Sequence, residues 1–185
     1  MANFDVAFEK TMKHEGFYSF DKHDAGGETY RGISRRFYPE WKPWTIIDKQ
    51  KPNINHQELD HLVKSFYKKH YWNPNLLDMF PQNIADEMFD TGVNLGKRTA
   101  ARFPQQALSY LNKNEQLFSD LVDDGIIGPK TLEALEIIRN RKETELLLKI
   151  MNVLQGNHYL SYMKKSPTQE IFARGWFTRV KISKE

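Results

Sequence analysis

A chain of 185 residues with 13% aromatic and 28% charged residues can bury a sizeable core and is too aromatic for a disordered segment. It has no cysteine, which excludes a disulfide scaffold, a thiolate zinc site and a Cys nucleophile. Its net charge of +3, from 27 basic and 24 acidic residues, is mixed along the sequence, so no basic stripe marks it for nucleic acid.

The elements read in chain order. Phe4, Ala7, Phe8 and Met12 recur at helical spacing, with Asn3 as the cap. Residues 16–34 are punctuated by Gly16, Gly26, Gly27 and Gly32 and read as an irregular hairpin. Pro39, Pro43 and Pro52 make residues 39–54 a loop with one short turn. Asn55-x-x-Glu58 is a capping-box pattern ahead of Leu59, Leu62, Val63, Phe66 and Tyr67, and Pro74 ends that helix. Ile84, Ala85, Met88, Phe89 and Val93 predict a second helix to Gly96, and residues 98–112 a third. Residues 113–128 are turn-like. Pro129 stands where a first helical residue is favoured, and Leu132, Leu135 and Ile138 follow it. A long amphipathic run over 142–164 precedes a last helix start at Ser166-Pro167. Phe172 and Val180 flank Trp176 at helical spacing and place it in the core; Trp41, Trp44 and Trp72 have no pattern that places them. About seven helices and one small β element make the class α+β, mainly α.

No apolar run reaches the roughly 20 residues of a membrane span, so stable membrane insertion is not expected. The first residues show no basic n-region, apolar h-region or cleavage site. The expectation is synthesis in the cytoplasm without a secretory signal.

Several familiar motifs fail on spacing. Gly92 to Lys97 is one residue short of a phosphate loop and lacks its Ser/Thr. Asp21 to Gly32 has Ala25 and Gly32 where a calcium loop needs oxygen ligands. His56 and His61 are five apart, with no HExxH, and there is no GxSxG elbow. What survives is His14 to Ser34, H-E-G-F-Y-S-F-D-K-H-D-A-G-G-E-T-Y-R-G-I-S. Glu15 closes the first helix, where partial desolvation raises a carboxyl pKa and suits it to give a proton to a leaving oxygen. Asp24, in a polar loop nine residues on, stays ionised, and Thr29 follows five later. Two carboxyls in unlike environments are what glycoside hydrolysis needs. The plainer reading is a surface Glu at a helix end followed by an ordinary glycine-rich turn.

EGFY-(5)-DAGGETYRGIS resembles the EGGY…DPGGxTNxGIT pattern of the N-acetylmuramidases of glycoside hydrolase family 108, lysozyme-like enzymes that include phage endolysins and proteins once called secretion activators. Lys69 to Pro74 is similar to the family's [R/K]YWDP segment, Phe89 to Gly96 to its DxxVNxG helix end, Asp124 to Thr131 to the DGxxGPxT turn of a predicted peptidoglycan-binding region, and Gly175 to Val180 to a closing GWxxRV. Phe17, Ala25, Tyr30 and Asn73 depart from the pattern.

The resemblance implies a lysozyme-like helical fold with a small β-hairpin near the active site. Residues 1–114 form the catalytic region, and 115–185 a helical region packed on it as one compact unit. It implies cleavage of the β-1,4 bond between N-acetylmuramic acid and N-acetylglucosamine in peptidoglycan, with no metal or organic cofactor. Carried over, the catalytic residues are Glu15, Asp24 and Thr29. Tyr18, Glu28, Tyr30, Asp90 and Asn94 are candidates for substrate contact. Tyr18 and Tyr30 either stack on sugars or fill core. Asp90 and Asn94, four apart on one helix face, either line the cleft or cap the turn at Gly96. The GPKT turn either touches the wall or only starts a helix. Bacterial peptidoglycan is the expected partner, with a holin or secretion apparatus as the candidate route to the wall or periplasm. The alternative is a non-catalytic wall-binding or secretion-helper protein on the same fold.

Overall fold

A computed structural model describes residues 1–13, 16–20 and 27–181. The expected helix end at Glu15 and the loop carrying Asp24 lie outside the described residues. Helix α1 spans Phe4–Met12 and is capped as predicted: the Asn3 side chain accepts from the backbone N–H of Asp5 at 2.9 Å and of Val6 at 3.4 Å. Gln82, at the start of α4 (Gln82–Leu95), accepts from the Asn3 N–H at 2.6 Å and donates to the Asn3 carbonyl at 3.1 Å. The two helix starts are thereby stapled together, and Phe4, Ala7 and Phe8 are driven into the core.

Strands β1 (Tyr18–Phe20), β2 (Glu28–Tyr30) and β3 (Ile33–Ser34) form an antiparallel sheet in sequence order. Tyr30 pairs with Ile33, so two residues make the β2–β3 turn, and both have positive φ: Arg31 at 48° and Gly32 at 77°. That is the type I′ geometry whose twist matches the strands. The Tyr67 hydroxyl donates to the Arg31 carbonyl at 2.7 Å and ties the strained turn to α3 (His56–Tyr67).

The loop expected at 39–54 contains a helix, α2 (Trp44–Gln50). Its prolines permit this, because Pro43 stands immediately before the first turn, where a missing N–H breaks no helical bond. Trp44 and Ile47, three apart, supply its buried face. The capping box at Asn55 forms by half. The Asn55 side chain accepts from Glu58 N–H at 3.4 Å, while Gln50, not Glu58, accepts the Asn55 N–H, at 2.9 Å. After α3 the chain widens into a π turn at Lys68–Trp72 and a 3-10 turn at Asn73–Asn75, so it leaves α geometry ahead of Pro74.

Helices α5 (Lys97–Leu111), α6 (Pro129–Asn140), α7 (Thr144–Lys165) and α8 (Ala173–Phe177) complete the chain. The Asp124-Gly125 turn before α6 docks on α5. Gln105 donates to the Asp124 carboxylate and accepts the Gly125 N–H, both at 2.9 Å. A Cβ on Gly125 would lie 2.4 Å from Arg98 Cγ, so only glycine allows this approach. The motif therefore seats α6 against α5.

One buried cluster runs from Phe4 and Phe8 through Trp72 and Phe89 to Leu135 and Ile138 on α6 and Leu147 and Met151 on α7. Each such side chain contributes about 1.5–3 kcal/mol of transfer free energy. α7 lies against α4 and α5. No helix among the described residues is long and apolar enough to cross a membrane.

Candidate active site

The side chains of a strand alternate between faces, and the register Tyr18↔Tyr30, Ser19↔Thr29, Phe20↔Glu28 sorts the sheet's candidates. Tyr18, Glu28 and Tyr30 share one face, and Thr29 is on the other with Ser19 and Ser34. On the first face Tyr30 is core and Glu28 is tied into an ion cluster, while Tyr18 and Phe20 stay exposed. Tyr30 is only 1% exposed; its hydroxyl pairs with His56 Nδ1 at 2.9 Å and its ring stacks on His56 at 5.8 Å and 18°. Its ring fills core and offers no surface for a sugar. Glu28 accepts from the Tyr18 hydroxyl at 2.9 Å, from Arg35 at 2.7 Å and from Lys51, and Arg35 and Lys51 also hold Asp48. Burial pushes the Glu28 carboxyl up, but the hydrogen bonds from Lys51, Arg35 and Tyr18 outweigh it and hold the group below its ordinary 4.5. Glu28 is committed to this ion cluster, whereas Thr29, half-buried, faces the opposite side.

On α4 neither Asp90 nor Asn94 caps the turn at Gly96. The Gly96 N–H is taken by the Gly92 carbonyl at 3.0 Å, and both side chains reach the C-terminal region. Asp90 binds Arg179 Nη1 at 2.6 Å, with both side chains largely buried. Asn94 Nδ2 donates to the Tyr159 hydroxyl at 2.5 Å. Beside them a polar cavity of about 250 Å³ is lined by Lys10, Thr11 and Lys13 of the α1 end, Asp86 and Asp90 of α4, and Thr178, Arg179 and Lys181. Lys13 is the last described residue before His14 and Glu15. The structure thus brings Asp90 and the α1 end to one cavity, and sets Asn94 one turn further along α4. Tyr18 and Glu28 belong to the ion cluster of the sheet, and Tyr30 to the core beside His56.

Sequence reasoning missed three features. Lys10 pairs with the nearly buried Asp86, fixing α1 to α4. Arg179, read only as part of a closing motif, is the partner of Asp90. Glu87 is 1% exposed and packs toward α7: Thr91 lies 3.4 Å from one carboxylate oxygen and Gln155 binds Thr91 at 3.1 Å. Burial pushes the Glu87 carboxyl up to about 7, against the pull of Lys181 3.7 Å away. The only sequence signal for it is that Glu87 and Thr91 follow Ile84 at spacings of three and four, on one helix face. No group of three or more metal-ligating carboxylates and histidines occurs among the described residues.

Two family models match the chain. Residues 8–96 match glycosyl hydrolase 108 and residues 99–181 match a predicted peptidoglycan domain. The chain is therefore a glycosyl hydrolase 108 region followed by a predicted peptidoglycan domain, the pairing that the motifs resembled. The class so defined is a peptidoglycan-acting glycosidase on an α+β, mainly α, lysozyme-like fold. The two models meet around Gly96, between α4 and α5, ahead of residue 114, where the sequence reading divided the chain. Among solved structures, SagA from Brucella abortus is similar, with a TM-score of 0.63 over 96% of this chain and 88% of that one, at 22% identity. That likeness speaks for the fold alone. No curated protein matches the chain.

Proposed function

We propose that the chain is an N-acetylmuramidase, hydrolysing the β-1,4 bond from N-acetylmuramic acid to N-acetylglucosamine in peptidoglycan. The match of residues 8–96 to glycosyl hydrolase 108 carries this reading, because it encloses Glu15, the DAGG loop and Thr29 in one region. Glu15 is the general acid: it protonates the glycosidic oxygen as the bond breaks. Asp24 remains a carboxylate and, with Thr29, stabilises the oxocarbenium-like state or orients the water. Thr29 suits this role because it stands on the sheet face away from the Glu28 ion cluster. Asp90 holds Arg179 at the cavity beside the end of α1. The two regions, 1–114 and 115–185, work as one compact unit, an organisation that the packing of α7 on α4 and α5 supports. The setting is lysis or wall remodelling for secretion, after release to the wall through a holin or a secretion apparatus.

Purified peptidoglycan digested with the protein and reduced with borohydride tests the bond assignment. Muramitol at the new ends is the expected product. Glucosaminitol would show cleavage of the other glycosidic bond, and undigested wall would show that the chain is no glycosidase.

A further inference from the structure

Three cavities adjoin along α4 and the C-terminal segment. The polar one at the end of α1 shares Thr178 and Arg179 with a second of about 360 Å³, and that one shares Asn94 and Trp176 with a third of about 300 Å³. We propose that the trough between Asn94 and Trp176 is a subsite for an N-acetylated hexosamine of the glycan strand, supplied largely by the predicted peptidoglycan domain. The proposal rests on the glycosidase reading above and extends it to the substrate's path.

The chemistry of the walls selects the occupant. A hexosamine presents an apolar C–H face and an acetamido group, and carbohydrate-sized pockets pair aromatic surface with a few placed polar groups. Trp176 is half-buried and stacks on Tyr159 at 5.3 Å and 16°; Phe172 and Tyr162 stand 5.8 and 5.9 Å from it, each nearly half exposed. Its indole is thus held in place before any ligand arrives, which lowers the ordering cost of stacking. Asn94 is fixed through its Nδ2 on Tyr159, and its Oδ1 has no hydrogen-bond partner among the described residues, leaving an acceptor for an acetamido N–H. Toward α1 the lining changes from aromatic to charged, with Lys10, Lys13, Arg179 and Lys181 against Asp86 and Asp90. Among the described residues of this lining the cations outnumber the carboxylates, which complements the carboxylates of stem peptides. In the DGxxGPxT turn, by contrast, Asp124 and Gly125 are engaged by Gln105 of α5.

The test is calorimetric titration of the full-length protein with tri-N-acetylglucosamine, alongside steady-state cleavage of soluble peptidoglycan fragments. Trp176→Ala is expected to weaken oligosaccharide binding about tenfold, the loss of about 1.4 kcal/mol, with the loss in cleavage falling on KM rather than kcat. Tyr162→Ser, at a more exposed ring, guards against a folding defect and is expected to weaken binding about threefold. Wild-type affinity in both folded variants, or a wild-type protein that does not bind the oligosaccharide, overturns the subsite. A wild-type protein that binds it and leaves peptidoglycan uncut supports the subsite and refutes the glycosidase reading.

Discussion

Two carboxyls of this molecule, one half-buried and one fully buried, have opposite fates. Glu28, in the sheet, loses water but gains Lys51, Arg35 and Tyr18, and its carboxyl is held down. Glu87, on the α4–α7 seam, loses water and gains only a long contact to Thr91 and a Lys181 ammonium 3.7 Å away, and it is pushed up to about 7. One Glu87 oxygen has no hydrogen-bond partner among the described residues. The deeper burial of Glu87 and its poorer set of donors push the same way, whereas at half-buried Glu28 the donors brought by the neighbouring elements outweigh the loss of water. The two sites also bend stability with pH in opposite directions. Glu28 binds fewer protons folded than unfolded, so its contribution is full above about 4.5 and is lost as pH falls through its lowered value. Glu87 binds more protons folded, so stability falls as pH rises from about 4.5 through about 7.

The strongest way to break the comparison is to remove the seam. Truncation after Asn114 deletes α6–α8, uncovers the buried Thr91 and Leu108 faces of α4 and α5, and strips Lys181 from Glu87, Arg179 from Asp90 and Tyr159 from Asn94. The fragment 1–114 is expected to be unfolded or insoluble by circular dichroism. A soluble, helical fragment would show two independent units. Next in size is Glu28→Ala, which leaves Lys51 and Arg35 sharing Asp48 alone. Loss of hydrogen bonds to charged groups should cost about 2 kcal/mol, read as a Tm lower by roughly 4–8 °C at pH 7, with the difference from wild type shrinking below pH 4. An effect of similar size sharpens the seam. Glu87→Gln keeps the shape without the charge, so Tm at pH 8 should rise by a few degrees, for about 1–3 kcal/mol, with no gain at pH 4. A pH-independent change would mean that Glu87 is not held neutral by its surroundings.

Much of this was legible in the sequence where one residue acts on its own backbone. Asn3 and Asn55 cap as their spacing requires, and Arg31-Gly32 makes a turn where glycine permits positive φ. What escaped depends on partners far along the chain. Nothing local says that Tyr30 will find His56, that Gln50 will take the N–H left to Glu58, or that Asp90 will meet Arg179, 89 residues away. Trp44 was obscured by surrounding prolines. Trp176, expected in the core, is only half-buried, because α8 is a short helix packed by one side on Tyr159. That Asp90 and Asn94 share one helix face was legible from their spacing, but what they contact was not.

The most direct test of the central claim is Glu15→Gln. The amide keeps the shape of the carboxyl and cannot donate a proton to the leaving oxygen, and general acid catalysis is worth about 10²–10⁴-fold. Clearing of a purified peptidoglycan suspension should fall to about 1% of wild type or less, at unchanged Tm and with sedimentation onto the wall retained. Near wild-type clearing by the folded variant would contradict the account.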